Sequence, residues 1–197
     1  MATYTAAFEA AIDHAMLYEV GGFWNVNHPA VQDGLIDSRE NRKAVGYVND
    51  PHDRGGETKY GVARNANPDL NITRLNWEDA KAVYYTRYWL AGKCDRLPGR
   101  LAVLHFDGCI NHGIGRANKF LQRSVGAYPD GAIGEKTLAQ IDKYDEYGIC
   151  ENICNDRENF YRNIAASNPS QARFLTGWLR RISEMREFTT NPDNVFE

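Results

Sequence analysis

The chain has 197 residues, 43% of them hydrophobic, and a formal net charge of -3, which is enough to bury a core in one domain or two lobes. The slight acidity argues against a general nucleic-acid binder, and no run of roughly eighteen apolar residues is present to span a membrane. Cys94, Cys109, Cys150 and Cys154 are scattered rather than set out as a disulfide framework.

In chain order, Phe8, Ala11, Ile12, Ala15 and Glu19 fall at helical spacing, and such an apolar stripe buries against a core. The spacing puts Glu19 on the buried face at the last turn, with Gly21 and Gly22 ending the helix through left-handed backbone. A carboxyl among apolar groups at the negative end of a helix is disfavoured as an anion, the condition a general acid requires. A helix-end glutamate that points to water is the plainer alternative. Asp50-Pro51 and Gly55-Gly56 mark turns, and residues 58–62 read as a short strand. A loop shaped by glycines can hold Asp53 and Thr58 rigidly while a sugar approaches Gly55 and Gly56 closely. An ordinary surface hairpin loop is the alternative.

The only expected sheet is small, around 46–48, 60–63 and 71–73. Asn76 followed by Asp79 resembles a capping arrangement that opens a helix through Trp77, Ala80, Tyr84, Tyr88 and Leu90. Residues 93–100, with Pro98 and Gly99, read as a hinge. Helices are expected around 101–111, 116–124, 135–143, 149–166 and 171–187, the last with the stripe Phe174, Trp178, Ile182 and Met185. Cys150 and Cys154 share a helical face and are expected as packed thiols. His105 and His112 could share a helix face as in a zinc amidase, but a catalytic zinc needs a third ligand and an open position, and no His-Glu-x-x-His pattern exists. His112 reads instead as part of a helix-ending Asn-His-Gly turn. No metal and no other cofactor is expected. Long helices with one hairpin sheet give an α+β class, predominantly α-helical.

Glu19, Gly21-Gly22-Phe23, Val48-Asn49-Asp50-Pro51, Asp53, Gly55-Gly56, Thr58, Tyr60 and Gly61 together resemble the motif of glycoside hydrolase family 108, phage and bacterial N-acetylmuramidases with a lysozyme-like fold. The order Glu, Asp, Thr also resembles the catalytic trio of T-even-type phage lysozymes. Val20 stands as an extra residue before the glycines, and Arg54 where the family often has proline. Residues 24–47 look like an insertion that splits the motif and contains Asp33, Asp37 and Glu40, so either Asp50 or Asp53 is the second acid. Further on, Phe106-Asp107 with Asn111-His112-Gly113, Arg116-Ala117 with Leu121-Gln122, and Asp130-Gly131, Ile133-Gly134 and Thr137-Leu138 resemble the predicted peptidoglycan-binding domain that usually follows the motif.

The resemblance implies a two-lobed lysozyme-like fold with a small antiparallel hairpin sheet. Residues 1–92 would be the catalytic lobe, with 24–47 inserted, and 98–190 a helical peptidoglycan-binding-like lobe. The implied activity is that of an endolysin: a lysozyme-type N-acetylmuramidase cutting the β-1,4 bond between N-acetylmuramic acid and N-acetylglucosamine, for host cell lysis. Glu19 would protonate the leaving oxygen, and Asp53, helped by the Thr58 hydroxyl, would orient or activate a water. Tyr60, Asp50, Phe23, Gly55 and Gly56 would contact substrate, with Trp24 and Tyr47 as further groove aromatics whose alternative role is core packing. Acids about 5 Å apart retain configuration and acids roughly 6.5–9.5 Å apart invert it; the Asp-plus-Thr pattern resembles the inverting type. A lytic transglycosylase giving 1,6-anhydro products, a chitinase-like hydrolase and a non-catalytic peptidoglycan-binding protein are the alternatives. The first twenty residues carry Glu9, Asp13 and Glu19 and no basic region, unlike a secretory signal. The resemblance then implies a monomer that waits in the host cytoplasm for a holin and acts in the periplasm and cell wall. Peptidoglycan is the expected partner, without nucleic acid or stable membrane insertion.

Overall fold

The front stripe forms α1 (Ala6–Glu19) in a computed structural model that describes residues 3–50, 55–194 and 196. The chain divides into two compact units, Glu9–Arg87 and Met1–Phe8 with Tyr88–Glu197. The boundary falls after Arg87, within a helical run, and not in the 93–100 stretch that reads as a hinge.

In the Glu9–Arg87 unit, Ala11, Ile12, Ala15 and Met16 bury one face of α1. The helix then closes as the two glycines require. Gly22 N–H donates to Leu17 O at 2.9 Å and Gly21 N–H to Tyr18 O at 3.2 Å, with φ of 81° and 74°, the paired bonds of a left-handed helix end. Val20 is the residue between helix and glycines and is itself buried.

Residues 24–47 are folded rather than loop-like. They form α2 (Pro29–Asp33) and α3 (Arg39–Ala44). His28 Nδ1 accepts from Ala30 N–H before α2, Pro29 takes the first helical position, and Ser38 Oγ accepts from Asn41 N–H before α3. Ala30, Val31, Ala44 and Val45 are buried.

The sheet consists of β1 (Thr58–Lys59) and β2 (Val62–Ala63), antiparallel, with Thr58 opposite Ala63 and Lys59 opposite Val62. Val48 adds one bridge to Thr58. The expected third strand at 71–73 is instead a 3-10 turn, Ile72–Arg74. It joins the hairpin through a side chain, Lys59 Nζ donating to Thr73 O at 3.0 Å, so its backbone is free to bond locally. α4 (Trp77–Tyr84) opens with the expected reciprocal cap, Asn76 Oδ1 accepting from Asp79 N–H and Asp79 accepting from Asn76 N–H.

The other unit is helical: α5 (Gly99–His112), α6 (Ile114–Ser124), α7 (Glu135–Ile141), α8 (Glu146–Ser167) and α9 (Leu175–Thr190). Phe8, Trp89 and Phe106 pack edge to face at 5.4–5.7 Å. Beside them Asp107 is buried with two arginines, Oδ2 to Arg157 at 2.5 Å and Oδ1 to Arg181 at 2.8 Å. Burial raises the Asp107 carboxyl, but Arg181 and Arg157 outweigh it and hold the group well below the usual carboxylate range. Arg157 Nε also donates to His112 Nε2 at 3.1 Å. Burial, then the charge of Arg157, presses His112 down to about 3. Among the described residues no helix is long and apolar enough to cross a membrane.

His112 is therefore neutral when folded and takes up a proton near its ordinary value of about 6.5 when unfolded. The unfolded state binds more protons in between, so stability falls as pH drops from about 6.5, by at most about 1.4 kcal/mol per pH unit from this group. The Asp107 contribution is complete above the usual carboxylate range and is lost only at still lower pH. Urea unfolding across this window should show a shallower decline for His112→Gln than for wild type. Equal slopes would mean that burial and Arg157 do not hold His112 neutral in the folded chain.

Candidate active site at the hairpin turn

Two residues join β1 to β2. Tyr60 and Gly61 have φ of 52° and 74°, the pair of positive values that a two-residue hairpin turn of right-handed twist demands. The strand expected through 58–62 is thus interrupted by the turn itself. Tyr84 Oη, from α4, donates to Tyr60 O at 2.9 Å. A Cβ on Gly61 would stand 3.1 Å from Glu19 Cβ and 3.4 Å from Glu19 Oε2, and would collide with the Tyr84 hydroxyl. Glu19 therefore lies directly over the turn, half-buried at the end of α1.

Three residues that the sequence did not mark as site residues hold the hairpin in this position. Glu57 is buried and accepts from Tyr47 Oη at 2.9 Å, from Thr73 Oγ1 at 2.6 Å and from Arg64. Burial raises its carboxyl, but the hydrogen bonds from Thr73, Arg64 and Tyr47 outweigh that and keep it an anion. Its oxygens are committed, so it frames the site and does not react. Lys59 is fully buried and donates to Gly34 O at 2.6 Å, closing the C-terminus of α2 as well as holding the 3-10 turn. Burial pushes its ammonium down, against the pull of Glu57. Tyr84 is the third.

Of the expected site residues, Thr58 is half-buried at the start of β1, its Oγ1 donating to Gly56 O at 3.2 Å. Gly55 and Gly56 precede it, and Gly56 is left-handed at φ 69°. Asp50 is exposed. Asp53 lies outside the described residues. Tyr60 needs correction as a substrate contact: its ring is fully buried against Trp77 at 5.8 Å, and its hydroxyl donates to Val31 O at 2.6 Å. Turn geometry sends its side chain into the core. Trp24 likewise packs on Trp77 at 4.6 Å. Tyr47 spends its hydroxyl on Glu57. Phe23 is 60% exposed, with Lys43 Nζ 5.3 Å from its ring centre. With His28, Arg39, Glu40, Lys43 and Ala44 it lines a cavity of about 570 Å³.

The zinc pairing of His105 with His112 does not form, because His112 Nε2 is taken by Arg157. Among the described residues the group able to hold a metal is Cys94, His105 and Cys109, in the unit that does not contain Glu19. The Asp130-Gly131 motif serves a local role: Gln122 donates to Asp130 Oδ1 at 2.7 Å and accepts from Gly131 N–H at 2.8 Å. These bonds fix the loop that leads to α7 and leaves Tyr128 exposed.

Residues 39–113 match the family model described as Glycosyl hydrolase 108, and residues 116–183 match that described as Predicted Peptidoglycan domain. The first span takes in α3, so part of the apparent insertion belongs to the matched family region; it begins beyond Glu19 and Phe23. A solved structure described as that of Brucella abortus SagA is similar, with 28% identity and a TM-score of 0.62 over 75% of this chain and 90% of that one. No curated protein matches.

The turn geometry is directly testable. Gly61→Ala should cost about 1–3 kcal/mol from strained backbone alone, with more from the collision at Tyr84. Tyr84→Phe should cost about 1 kcal/mol from the lost hydrogen bond. Guanidinium unfolding midpoints check both. A Gly61→Ala chain as stable as wild type would mean that the turn does not lie against Glu19.

Proposed function

We propose that this member of the glycosyl hydrolase 108 family, a peptidoglycan-degrading enzyme with a predicted peptidoglycan domain behind its glycosidase segment, is a hydrolytic N-acetylmuramidase. The observation that carries the reading is Glu19: a carboxyl at the end of an apolar helix, packed on a hairpin turn whose first strand begins with Thr58. Catalysis belongs to the Glu9–Arg87 unit and wall binding to the helices that follow.

Glu19 is the general acid on the glycosidic oxygen. Its half-buried position beside Gly61 leaves one side against protein and one side for the leaving group. Departure of that oxygen leaves an oxocarbenium-like centre, which a water attacks from the opposite face. Asp53 takes the proton from that water and the Thr58 hydroxyl helps to align it, which gives inversion. Phe23 and the cationic groups beside it extend the substrate groove, where the ring meets a sugar face and Lys43 an anionic substituent. The resemblance to phage endolysins supports a lytic role: a monomer released from the host cytoplasm with a holin's help, acting on the wall.

Purified peptidoglycan turbidity, with mass spectrometry of the released sugars, tests the reaction. Wild type should clear it and leave reducing N-acetylmuramic acid ends, and Glu19→Gln should lose about 10²–10⁴-fold in rate while staying folded. Anhydro ends would make the enzyme a transglycosylase, and a folded Glu19→Gln with near-normal clearing would remove Glu19 from the mechanism. Asp53→Asn and Thr58→Ala should lower kcat much more than they raise KM. If Asp50→Asn is crippling and Asp53→Asn mild, the second acid is Asp50.

A further inference from the structure

Cys94, His105 and Cys109 are buried in the unit built on α5, the two cysteines at 0% exposure and the histidine at 2%. Their two sulfurs and one ring nitrogen all lie within 4.8 Å of one another. Local structure brings them together. His105 and Cys109 are one turn apart on α5 and share a face. Cys94 opens a 3-10 turn, Cys94–Arg96, entered through left-handed Lys93 at φ 61°. Gly92 makes the room: a Cβ there would stand 2.7 Å from Cys109 Sγ, 3.5 Å from Cys94 Sγ and 2.6 Å from Tyr88 O.

The imidazole is held as a ligand would be. His105 Nε2 is 3.1 Å from Gly92 O and 3.1 Å from Asn118 Oδ1. Asn118 cannot turn its amide around, because its Nδ2 donates to Gly131 O at 2.8 Å. Both neighbours of Nε2 accept, so Nε2 carries a hydrogen and Nδ1 is the ring nitrogen left to serve as a ligand. A metal-binding histidine is oriented in this way, through the hydrogen bond of its other nitrogen. Cys109 meets both other members, in hydrogen-bond contact with Cys94 and His105.

We propose that Cys94, His105 and Cys109 form a structural site for a zinc-class divalent ion. Two thiolates and one neutral imidazole cancel a charge of two, so the buried site ends neutral, and sulfur with nitrogen suits a borderline-soft ion. On binding, each thiol gives its proton to solvent and each sulfur forms a bond to the ion, with no change of oxidation state. A tetrahedral ion takes one more donor, and the carbonyl of Tyr88 lies beside the two sulfurs at the Gly92 gap. The site is closed, so its role is to tie the 3-10 turn to α5 and not to activate water. Cys150 and Cys154 are the internal comparison: equally buried, one turn apart on α8, and outside any such group among the described residues.

The full chain, stripped by chelator under reducing conditions, is dialysed against zinc and separately loaded with cobalt(II). About one equivalent of zinc per chain should be retained and should raise the unfolding temperature. The cobalt form should show tetrahedral ligand-field bands with thiolate charge transfer. Cys109→Ser and His105→Gln should lose the zinc, and a Cys150→Ala/Cys154→Ala chain should keep it. The proposal is overturned if wild type with reduced thiols retains no zinc, if cobalt lacks thiolate charge transfer, or if Cys109→Ser binds like wild type. A Cys94–Cys109 disulfide in non-reducing peptide maps of fresh protein would also overturn it. The cobalt spectrum of wild type decides the matter even where a variant fails to fold.

Discussion

The missing side chain at Gly61 is the constraint on which the candidate site rests. Only without a Cβ can the hairpin turn meet both Glu19 and the Tyr84 hydroxyl. Two strands of two residues are far too short to persist alone. The hairpin survives because its turn residue Tyr60 buries a whole ring and ties its hydroxyl to Val31, worth about 2–3 kcal/mol in apolar burial before the hydrogen bond is counted. The same burial draws α2 onto the hairpin. The 24–47 segment is thereby part of the frame around Glu19, and a loose lid or a surface decoration is not what the packing describes.

Buried charge does the remaining positioning, and magnitudes separate the ion pairs that matter from those that do not. Removing one partner from a buried pair costs about 3–5 kcal/mol, because an uncompensated charge is left behind. Asp107 with Arg157 and Arg181 is of this kind; Glu57 is buried, but its partner Arg64 is 43% exposed, so that pair is screened by solvent and worth less. Exposed pairs such as Arg96 with Glu135 are worth about 0–1 kcal/mol. Lys59 is a different case, a buried ammonium whose partners are two carbonyl dipoles, Gly34 and Thr73. It is costly to bury and correspondingly specific: a slip of the hairpin by one residue would point it at solvent.

Much of the architecture was legible because it depends on local chemistry. Apolar periodicity located α1 and the five later helices, Asn76 with Asp79 located the start of α4, and Gly21-Gly22 located the end of α1. The family motif was legible as well, since its residues stand in order along the chain. Their division of labour was not. Asp107 and His112 read as motif positions and serve the interior of the helical unit, Asp107 as the buried anion on Arg157 and His112 as the neutral acceptor beside it. Tyr60 read as a sugar contact and is core. The helices inside 24–47 left only faint signals, the cap residues His28-Pro29 and Ser38, because helices of five and six residues carry too little periodicity to recognise.

The amino-acid order by itself determined that Glu19 ends an apolar helix before two glycines, that an Asp-Gly-rich stretch of sequence precedes Thr58, and that a mostly helical second half follows. These are properties of neighbours within one or two turns, where backbone preference and side-chain spacing act directly. Tertiary structure alone decided that Gly61 lies beneath Glu19, that Glu57 and Lys59 are each buried with hydrogen-bond partners of their own, and that Cys94 meets His105 and Cys109. Each depends on close approach between segments far apart in the chain, and excluded volume between such segments has no counterpart in the order of residues.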